Sequence, residues 1–194
     1  KAILDPVAYD YFAGGSDDEV TLAANPEAWR RIRLLPHVLR DVSSVTSSTE
    51  ILGIPMAAPI LIAPMAVQKL AHPDGESAMA QAAAQTGTVL VVSTMATVSL
   101  EDVAASAPGS PRWFQLYFQR DRDVTADLLR RAQAAGYRAI VLTVDLPVLS
   151  RRRRDEAHRF ELPEGMRVEN LATALPSSDG SALAEYTNAS FAAS

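Results

Sequence analysis

Side chains that could bind a ligand follow several strand-like, apolar runs of this sequence. Ser93 ends one such run, and Gln115 and Tyr117 lie two residues apart at the end of the next. Thr143 and Asp145 follow a third run. Amide and hydroxyl groups suit the polar edge of a flat heterocycle, whereas a metal site needs His or clustered carboxylates. The sequence therefore favours a heterocyclic ligand, and no metal site is predicted.

An earlier apolar run, residues 60–63, leads into a bend at Pro64-Met65-Ala66. An unbroken apolar run that stops at a bend predicts a strand buried on both faces. Gln115 and Tyr117 share one face of their own strand, because side chains alternate along a strand. The strand ends and this bend are therefore the places where chemistry is expected.

Strand-like and helix-like segments alternate through the middle of the chain at intervals of roughly 25 to 30 residues, which is typical of a parallel α/β sheet or barrel. The short turn between helix and strand in residues 132–145 favours a (β/α)8 barrel. A Rossmann fold would require a Gly-rich turn at residues 64–68, where the sequence has none. The predicted strands are 60–63, 89–93, 113–117 and 139–143, and the predicted helices are 76–85, 99–105 and 124–135.

Capping residues support these boundaries. Ser99 precedes Asp102 in a helix-capping sequence, and Gly87 and Gly136 follow their helices where a terminating glycine belongs. Four strands are half of the number that closes a (β/α)8 barrel. We therefore expect the N-terminal half of a barrel, which requires the other half for stability.

The flanking regions differ from this repeat. Residues 1–14 predict a helix that stops at Gly14-Gly15, and residues 45–54 predict a small strand or hairpin. Beyond Pro163 the sequence has no firm periodicity, which indicates a long, partly disordered loop. The predicted parts are an N-terminal cap (1–58), the first half of a barrel (59–162) and the loop (163–194).

Composition sets the broad class. The 194 residues are 48% hydrophobic and 21% charged, with a net charge of -5, which is ordinary for a globular protein and gives no general attraction to nucleic acid or an anionic membrane. The chain has no Cys, so disulfides and thiolate chemistry are excluded. No apolar run approaches the roughly 20 residues of a membrane helix, and no signal pattern follows Lys1. A cytoplasmic location is expected.

Five motifs occur in order along the chain: Tyr9-Asp-Tyr-Phe-Ala-Gly-Gly15 with Thr21-Leu-Ala-Ala-Asn25; Ile62-Ala-Pro-Met-Ala66 with Gln68-Lys69; Ala71-His-Pro-Asp-Gly-Glu76; Phe114-Gln-Leu-Tyr117; and Leu142-Thr-Val-Asp145 with Arg151-Arg152. Together they resemble the FMN-dependent α-hydroxy-acid oxidase and dehydrogenase family, which includes glycolate, lactate and mandelate oxidising enzymes. The match is collinear over about residues 5–171. It implies a (β/α)8 TIM barrel of the FMN-linked type, of which this chain supplies the cap and about the first four βα units.

The resemblance implies an FMN site. The backbone of Pro64, Met65 and Ala66 would pack along the flavin, with Ala66 near N5. Ser93, Gln115 and Thr143 would form hydrogen bonds with the polar edge of the isoalloxazine.

The resemblance also implies a substrate site for a 2-hydroxy acid. Tyr11 would reach the substrate carboxylate, and Arg152 would help to hold it at the mouth of the site. Tyr117 would bind the reacting oxygen, and Asp145 would orient the catalytic histidine. Met95 stands where plant glycolate oxidases have Trp, and because Met is smaller and flexible, longer or aromatic 2-hydroxy acids are expected as substrates.

Ordinary interpretations remain open beside these roles. Tyr11 can simply cap a core helix, and the hydroxyls of Ser93 and Thr143 can bond to the backbone, as is common at strand ends. The run of four arginines at 151–154 is of a kind that is most often a solvated patch. Only the resemblance gives Arg152 a specific role.

A general base is missing from the sequence. Proton removal during hydroxy-acid oxidation requires a base, usually a His held by a carboxylate, and none of His37, His72 and His158 matches the family's base. In the family that base lies in the second half of the barrel, with a substrate-binding Arg, a Lys beside flavin N1 and the FMN phosphate site. We expect a second segment to supply them, within a homotetramer.

Three classes of function remain open. The first is oxidation of an (S)-2-hydroxy acid to the 2-oxo acid by FMN, with O2 as acceptor giving hydrogen peroxide, or with another acceptor as in a dehydrogenase. The second is a phosphate-ligand isomerase or aldolase, whose usual Glu or Schiff-base Lys at a strand end is absent from the four strands. The third is a non-catalytic half-barrel.

Overall fold

A computed structural model describes residues 3–146, 150–158 and 160–172 of the chain. The chain divides into two compact units, which we call the N-terminal unit (Lys1–Ser47 with Ser150–Phe160) and the barrel unit (Ser48–Leu149 with Glu161–Ser194). The predicted division into 1–58, 59–162 and 163–194 stays a prediction. The part of the predicted loop beyond residue 172 lies outside the described residues.

A parallel sheet of three strands, Leu90–Val92, Arg112–Leu116 and Ala139–Leu142 in that order, forms the centre of the barrel unit. Val91 pairs with Trp113, and Trp113 pairs in turn with Ala139. Parallel pairing requires a crossover between strands, and a helix supplies each crossover here. The strands are β3 (Leu90–Val92), β4 (Arg112–Leu116) and β5 (Ala139–Leu142), and the helices are α3 (Gly75–Thr86), α4 (Leu100–Ser106) and α5 (Arg122–Ala134).

The two faces of the sheet bury different clusters, because side chains alternate along each strand. Phe114 lies on the face that packs against the helices and is completely buried. Trp113 lies in the second cluster, which includes Ile54 and Met56. Those two residues belong to an antiparallel hairpin formed by β1 (Thr49–Ile51) and β2 (Ile54–Met56), so the hairpin predicted in residues 45–54 covers the second face.

The first predicted strand is shorter than expected. Residues 60–63 form a single parallel bridge between Ile62 and Leu90, and Ile60 is 68% exposed, so the expectation of burial on both faces was wrong for Ile60. Pro59 and Pro64 flank the run and have no N–H to donate to a ladder. Within the described residues only β3 lies beside this run, which limits its pairing.

Local signals in the sequence explain the helix boundaries. Ser99 caps α4 by accepting a hydrogen bond from Asp102 N at 3.1 Å, and Asp121 caps α5 in the same way through Asp123 N. Gly87 ends α3 with a φ of +64°, a conformation that costs glycine little because it has no Cβ.

The N-terminal unit contains α1 (Pro6–Ala13), α2 (Val20–Arg31) and α6 (Arg153–His158). Asp5 caps α1 by accepting from Val7 N at 2.9 Å, and Pro6 occupies the first helical position, where its missing N–H costs nothing. The helix predicted in residues 1–14 is therefore present. Helix α6, which lies in segment 150–158, packs on α1.

Among the described residues, the helices are all too short or too polar to cross a bilayer. The same residues contain no group of three or more His, Asp or Glu side chains placed to hold a metal ion.

Candidate functional site

Gln115 joins the ends of three segments of the barrel unit. It lies on β4 and is 2% exposed. Its Oε1 accepts hydrogen bonds from Ser93 Oγ at 3.3 Å and Thr94 N at 3.1 Å, while its Nε2 donates to Thr143 Oγ1 at 2.9 Å. Because Thr94 N can only donate, the amide oxygen must face it, which fixes the orientation of the amide. The structure thus brings together the three side chains predicted to bind the cofactor ring.

Thr94 locks the ends of β3 and β4 together. Its hydroxyl donates to Gln115 O at 2.7 Å and accepts from Tyr117 N at 3.1 Å. Thr94 is completely buried, so this hydroxyl has both of its bonds inside the protein. Thr94 therefore fixes the position of the Tyr117 backbone at the end of β4. The sequence reasoning missed this role, although a Thr directly after an apolar run was visible.

Tyr117 is half-buried and follows the end of β4. Burial raises the pKa of its phenol, and the negative charge of Asp145 raises the pKa further. A phenol with a raised pKa stays protonated through neutral and mildly alkaline pH, and so can donate a hydrogen bond to a substrate oxygen. The two predicted catalytic residues are thus electrostatically coupled.

Hydrogen bonds to neighbouring residues hold the bend at Pro64, Met65 and Ala66. Gln68 Nε2 donates to Met65 O at 3.3 Å, and Val67 N donates to Met95 O at 3.1 Å. Ala66 packs against the core. Pro64 and Met65 are exposed, so one side of the bend is available to a flat ligand.

Met95 and Asn170 are both buried close to Ser93 in the hydrogen-bond network. Met95 is 4% exposed, its side chain packs in the cluster against the helices, and its N–H donates to Ser93 Oγ at 3.0 Å. Its predicted place in the wall of the substrate pocket stays a prediction. Asn170 donates from Nδ2 to Ser93 O at 3.2 Å and to Thr94 O at 3.3 Å. The sequence reasoning missed Asn170, because no local pattern links residues 77 positions apart.

Tyr11 and Arg152, both predicted to bind the substrate carboxylate, lie together in the N-terminal unit. Arg152 Nη2 donates to the backbone oxygen of Tyr11, and the guanidinium carbon is 5.2 Å from the centre of the Tyr11 ring. The Phe160 ring stacks on the Tyr11 ring, with the two ring centres 4.5 Å apart. Asp155 Oδ2 is 2.7 Å from Arg152 Nε.

A second arginine fastens the same segment to α1. Arg154 Nη1 is 3.2 Å from Asp10 Oδ1, and Nη2 is 2.5 Å from Glu19 Oε2. His158 Nε2 lies 2.9 Å from Asp10 Oδ2. Burial raises the pKa of Asp10, but hydrogen bonds from His158 and Arg154 lower it by more, so the net pKa is below its usual value. Arg154 is therefore not part of a merely solvated patch.

The groups at the strand ends suit a flavin ring. The polar edge of an isoalloxazine presents carbonyl oxygens and one N–H, and it requires both donors and acceptors from the protein. Gln115 Nε2 carries a second hydrogen beyond the one given to Thr143, and the Thr143 hydroxyl has a proton of its own to donate. Ser93 adds a second hydroxyl group, which donates to Gln115 Oε1 and accepts from Met95 N. The donor set therefore fits the cofactor that the sequence motifs implied.

Comparison with known families decides the assignment. The family model described as FMN-dependent dehydrogenase matches residues 1–193. The chain belongs to the FMN-dependent dehydrogenase family. The resemblance drawn from the five motifs is thereby confirmed, and FMN is the cofactor that the family description names.

Relatives in this family include oxidases of small hydroxy acids. An L-lactate oxidase from Nostoc sp. is 49% identical over 176 residues, which are 89% of this chain and 48% of the relative. Glycolate oxidase 1 from Zea mays is 49% identical over 171 residues, 88% of this chain and 46% of the relative. The chain thus spans about half the length of the curated relatives that it matches.

Solved structures confirm the fold class. A mandelate oxidase crystallised with (S)-4-hydroxymandelic acid matches with a TM-score of 0.91 and 41% identity, covering all of this chain and 55% of that one. A second mandelate oxidase structure, which contains a C4a-OH-FMN adduct, matches with a TM-score of 0.84 and 43% identity over 88% of this chain and 51% of that one. The fold is the N-terminal part of an FMN-linked (β/α)8 barrel.

Proposed function

We propose that this FMN-dependent dehydrogenase family member oxidises an (S)-2-hydroxy acid to the 2-oxo acid and passes the electrons to O2. The observation that carries the proposal is the junction of Ser93, Gln115 and Thr143, whose amide and hydroxyl groups meet at the strand ends and are of the kind that suits the polar edge of a flavin. The names of the lactate, glycolate and mandelate oxidases support the substrate class. In balanced form, the 2-hydroxy acid and O2 give the 2-oxo acid and hydrogen peroxide.

Residues of the barrel unit bind and orient the cofactor. When bound, FMN would supply the redox chemistry for removal of a hydride equivalent from the substrate. Gln115, Ser93 and Thr143 bind the polar edge of its ring, while the exposed side of Pro64 to Ala66 packs along its face. Tyr117 donates a hydrogen bond from its protonated phenol to the reacting oxygen of the substrate, and Asp145 balances the charge of the catalytic base.

Residues of the N-terminal unit recognise the substrate carboxylate. The Tyr11 hydroxyl donates to that carboxylate, and Arg152 supplies a positive charge near it. Contacts of Arg152 with Tyr11 O and Asp155 hold the guanidinium in a fixed orientation. A fixed charge loses less conformational entropy on binding than a mobile one, so this arrangement favours carboxylate substrates.

The general base comes from a second segment in this proposal. His158 is paired with Asp10 at 2.9 Å, and His72 Nδ1 accepts from Asp74 N at 3.2 Å. His37 and His158 belong to the N-terminal unit, and none of the three histidines matches the position of the family's base. We therefore assign proton removal to a residue supplied by the other half of the barrel.

Two features of the barrel unit support the proposal that a second segment packs against it. Ile140 and Leu142 on β5 are 42% and 49% exposed, and Val144 beyond them is 81% exposed. Trp113 Nε1 is buried without an acceptor among the described residues. An exposed apolar strand edge invites pairing with a further strand. Mass spectrometry of the purified complex tests this: we expect a companion segment, and a single species of 20.8 kDa that holds FMN and turns over would contradict it.

We further propose that the substrate is a medium-chain, long-chain or aromatic 2-hydroxy acid. The family resemblance gives Met95 a place in the pocket wall, where Met would leave more room than an indole side chain. Mandelic and 4-hydroxymandelic acids, which are aromatic, occupy the related mandelate oxidase structures. A panel of glycolate, (S)-lactate, (S)-2-hydroxyoctanoate and (S)-mandelate tests this choice. We expect the highest kcat/KM for one of the two larger acids, and a clear preference for glycolate would contradict it.

A dehydrogenase with another electron acceptor is the second candidate, because the family description itself is that of a dehydrogenase. Assays in air distinguish the two by comparing peroxide release with reduction of an artificial dye. We expect peroxide to form in step with the 2-oxo acid. Dye reduction without peroxide would replace the oxidase assignment by the dehydrogenase.

A further inference from the structure

Glu76 is a buried carboxylate that neither the cofactor site nor the substrate site has so far used. It lies in the first turn of α3 and is 1% exposed. Among the described residues it forms no ion pair. A buried charge without a counter-ion is costly unless hydrogen bonds surround it, so its surroundings need a specific explanation.

The hydrogen bonds of Glu76 reach two different loops. Oε1 accepts from Gln68 N at 3.1 Å and from Thr97 N at 3.0 Å. Thr97 Oγ1 lies 2.9 Å from Oε2 and 3.2 Å from Oε1. That hydroxyl also accepts from Lys69 N at 3.2 Å, so its own proton is directed to the carboxylate. Glu76 therefore ties the loop that follows residues 60–63 to the loop that follows β3.

Both loops lead directly to the proposed flavin site. Gln68, whose N–H binds Glu76, donates from its side chain to Met65 O at 3.3 Å. Val67 N donates to Met95 O at 3.1 Å, and Met95 N donates to Ser93 Oγ at 3.0 Å. One chain of hydrogen bonds thus runs from the Glu76 carboxylate through Gln68 to Met65 in the bend. A second chain runs from Val67 through Met95 to the Ser93 hydroxyl.

The backbone at this point adopts conformations that need external support. Val67 has a φ of +50°, which is unfavourable for a β-branched residue and persists only when the surroundings impose it. Gly75 has a φ of +48°, and a Cβ built on it would meet Lys69 Cγ at 2.8 Å. Gly75 thereby lets the start of α3 approach Lys69 closely enough for Glu76 to reach Gln68 N.

We propose that Glu76 is a positioning residue, which sets the flavin-facing backbone of residues 64–66 through Gln68 and Thr97. The inference rests on the proposed FMN site. It assigns no contact between Glu76 and the cofactor or substrate. A purely structural carboxylate would change the stability of the protein alone, whereas a positioning residue also changes how the site holds the flavin.

The test uses the full FMN-containing protein of which this chain is part. Glu76→Gln keeps the shape of the side chain but replaces the carboxylate by a neutral amide, whose NH2 group cannot accept from the Thr97 hydroxyl. Thr97→Val removes the hydroxyl that binds the carboxylate, whereas Thr97→Ser keeps it. Glu101→Gln is the matched control, since Glu101 occupies the same position in the first turn of α4 as Glu76 does in α3 and its side chain is 45% exposed.

The readouts are the Kd for FMN from flavin fluorescence, the flavin absorption spectrum and the melting temperature. We expect Glu76→Gln and Thr97→Val to weaken FMN binding by about tenfold or more and to shift the spectrum, because hydrogen bonds to charged groups are strong. Thr97→Ser and Glu101→Gln should stay within about twofold of the unmodified protein.

The inference is overturned if Glu76→Gln and Thr97→Val lower the melting temperature but leave FMN affinity and the spectrum unchanged. If Glu76→Gln does not fold, the comparison of Thr97→Val with Thr97→Ser decides, and equal FMN affinities for the two overturn the inference. If the unmodified protein binds no FMN, both the proposed function and this inference fail. If it binds FMN but oxidises no hydroxy acid, only the proposed function fails, and the affinity measurements still decide the role of Glu76.

Discussion

Gln115 donates a hydrogen bond from Nε2 to Thr143 Oγ1 at 2.9 Å and so joins the end of β4 to the residue after β5. The same amide accepts from Ser93 and from Thr94 N through its oxygen. The Gln115 side chain thus holds together all three groups that we assign to the flavin edge, which are its own amide, Ser93 and Thr143.

Replacing Gln115 by Met tests this organisation. The substitution keeps a similar volume but leaves the buried Thr94 N without its partner, which costs roughly 1 to 3 kcal/mol of unfolding free energy. FMN affinity should fall as well, since Thr143 and Ser93 lose their orientation. Urea denaturation and flavin titration measure the two effects. Gln133→Met, at an exposed position of α5, should change neither, and unchanged FMN affinity in Gln115→Met would contradict the assignment.

The phenol of Tyr117 should titrate later than an ordinary tyrosine, because burial and then the charge of Asp145 raise its pKa. Folding stability from this effect is fully present below the unfolded-state pKa of about 10 and is lost as the pH rises through the higher folded-state pKa. The phenolate absorbance of the protein minus that of Tyr117→Phe isolates this group.

Asp145→Asn provides the complementary measurement for Tyr117. Removing the Asp145 charge should lower the pKa of Tyr117, but the increase in this pKa that burial causes should remain. A Tyr117 pKa that does not change in Asp145→Asn would mean that the two residues are not coupled, and would remove the electrostatic argument for their shared role.

Asn170 should matter more for its amide donor than for its size. Asn170→Asp keeps the acceptor for Leu100 N at 2.8 Å but places a carboxylate oxygen against Ser93 O and Thr94 O. Asn170→Ala removes all three hydrogen bonds and leaves the buried Leu100 N without this acceptor, at a cost of roughly 1 to 3 kcal/mol. We expect both variants to lose stability in urea denaturation, while Asn25→Asp, at an exposed position, should not. A fully stable Asn170→Asp would contradict the role of the donor.

Arg154 should hold segment 150–158 on α1. Arg154→Gln removes the contacts with Asp10 and Glu19, so amide hydrogen exchange should become faster in α1 and α6 and KM for the hydroxy acid should rise more than kcat falls, because Tyr11 and Arg152 lie in these segments. Arg130→Gln is the control, since Arg130 pairs only with Asp127 on the exposed surface of α5 among the described residues. Equal exchange rates in the two variants would show that Arg154 does not fasten the segment.

Local sequence signals were sufficient to predict the repeat of strands and helices. Ser99 and Gly87 mark helix ends by chemistry that acts within a few residues, so the boundaries followed from the sequence. The shortened first strand was not foreseen, because the exposure of Ile60 depends on which strands lie beside it. Pairing of that kind is a property of the whole sheet.

Some residues of the candidate site could also be predicted from the sequence, and others could not. Gln115 and Thr143 could be found because strand ends of a parallel sheet meet at one edge, and the family motifs gave their roles. The roles of Glu76 and Asn170 could not be predicted, although Glu76 belongs to a family motif, since Thr97 lies 21 residues from Glu76 and Ser93 lies 77 residues from Asn170. A buried carboxylate and a buried amide look ordinary until the structure shows what they hold.

The most direct test mixes the purified FMN-containing protein with (S)-mandelate, (S)-2-hydroxyoctanoate, (S)-lactate or glycolate under anaerobic conditions and then admits O2. We predict that at least one acid removes the absorbance of the oxidised flavin, and that O2 restores it while hydrogen peroxide and the 2-oxo acid form in equal amounts. A protein that cannot be loaded with FMN, or a bound flavin that none of the four acids reduces, would contradict the account.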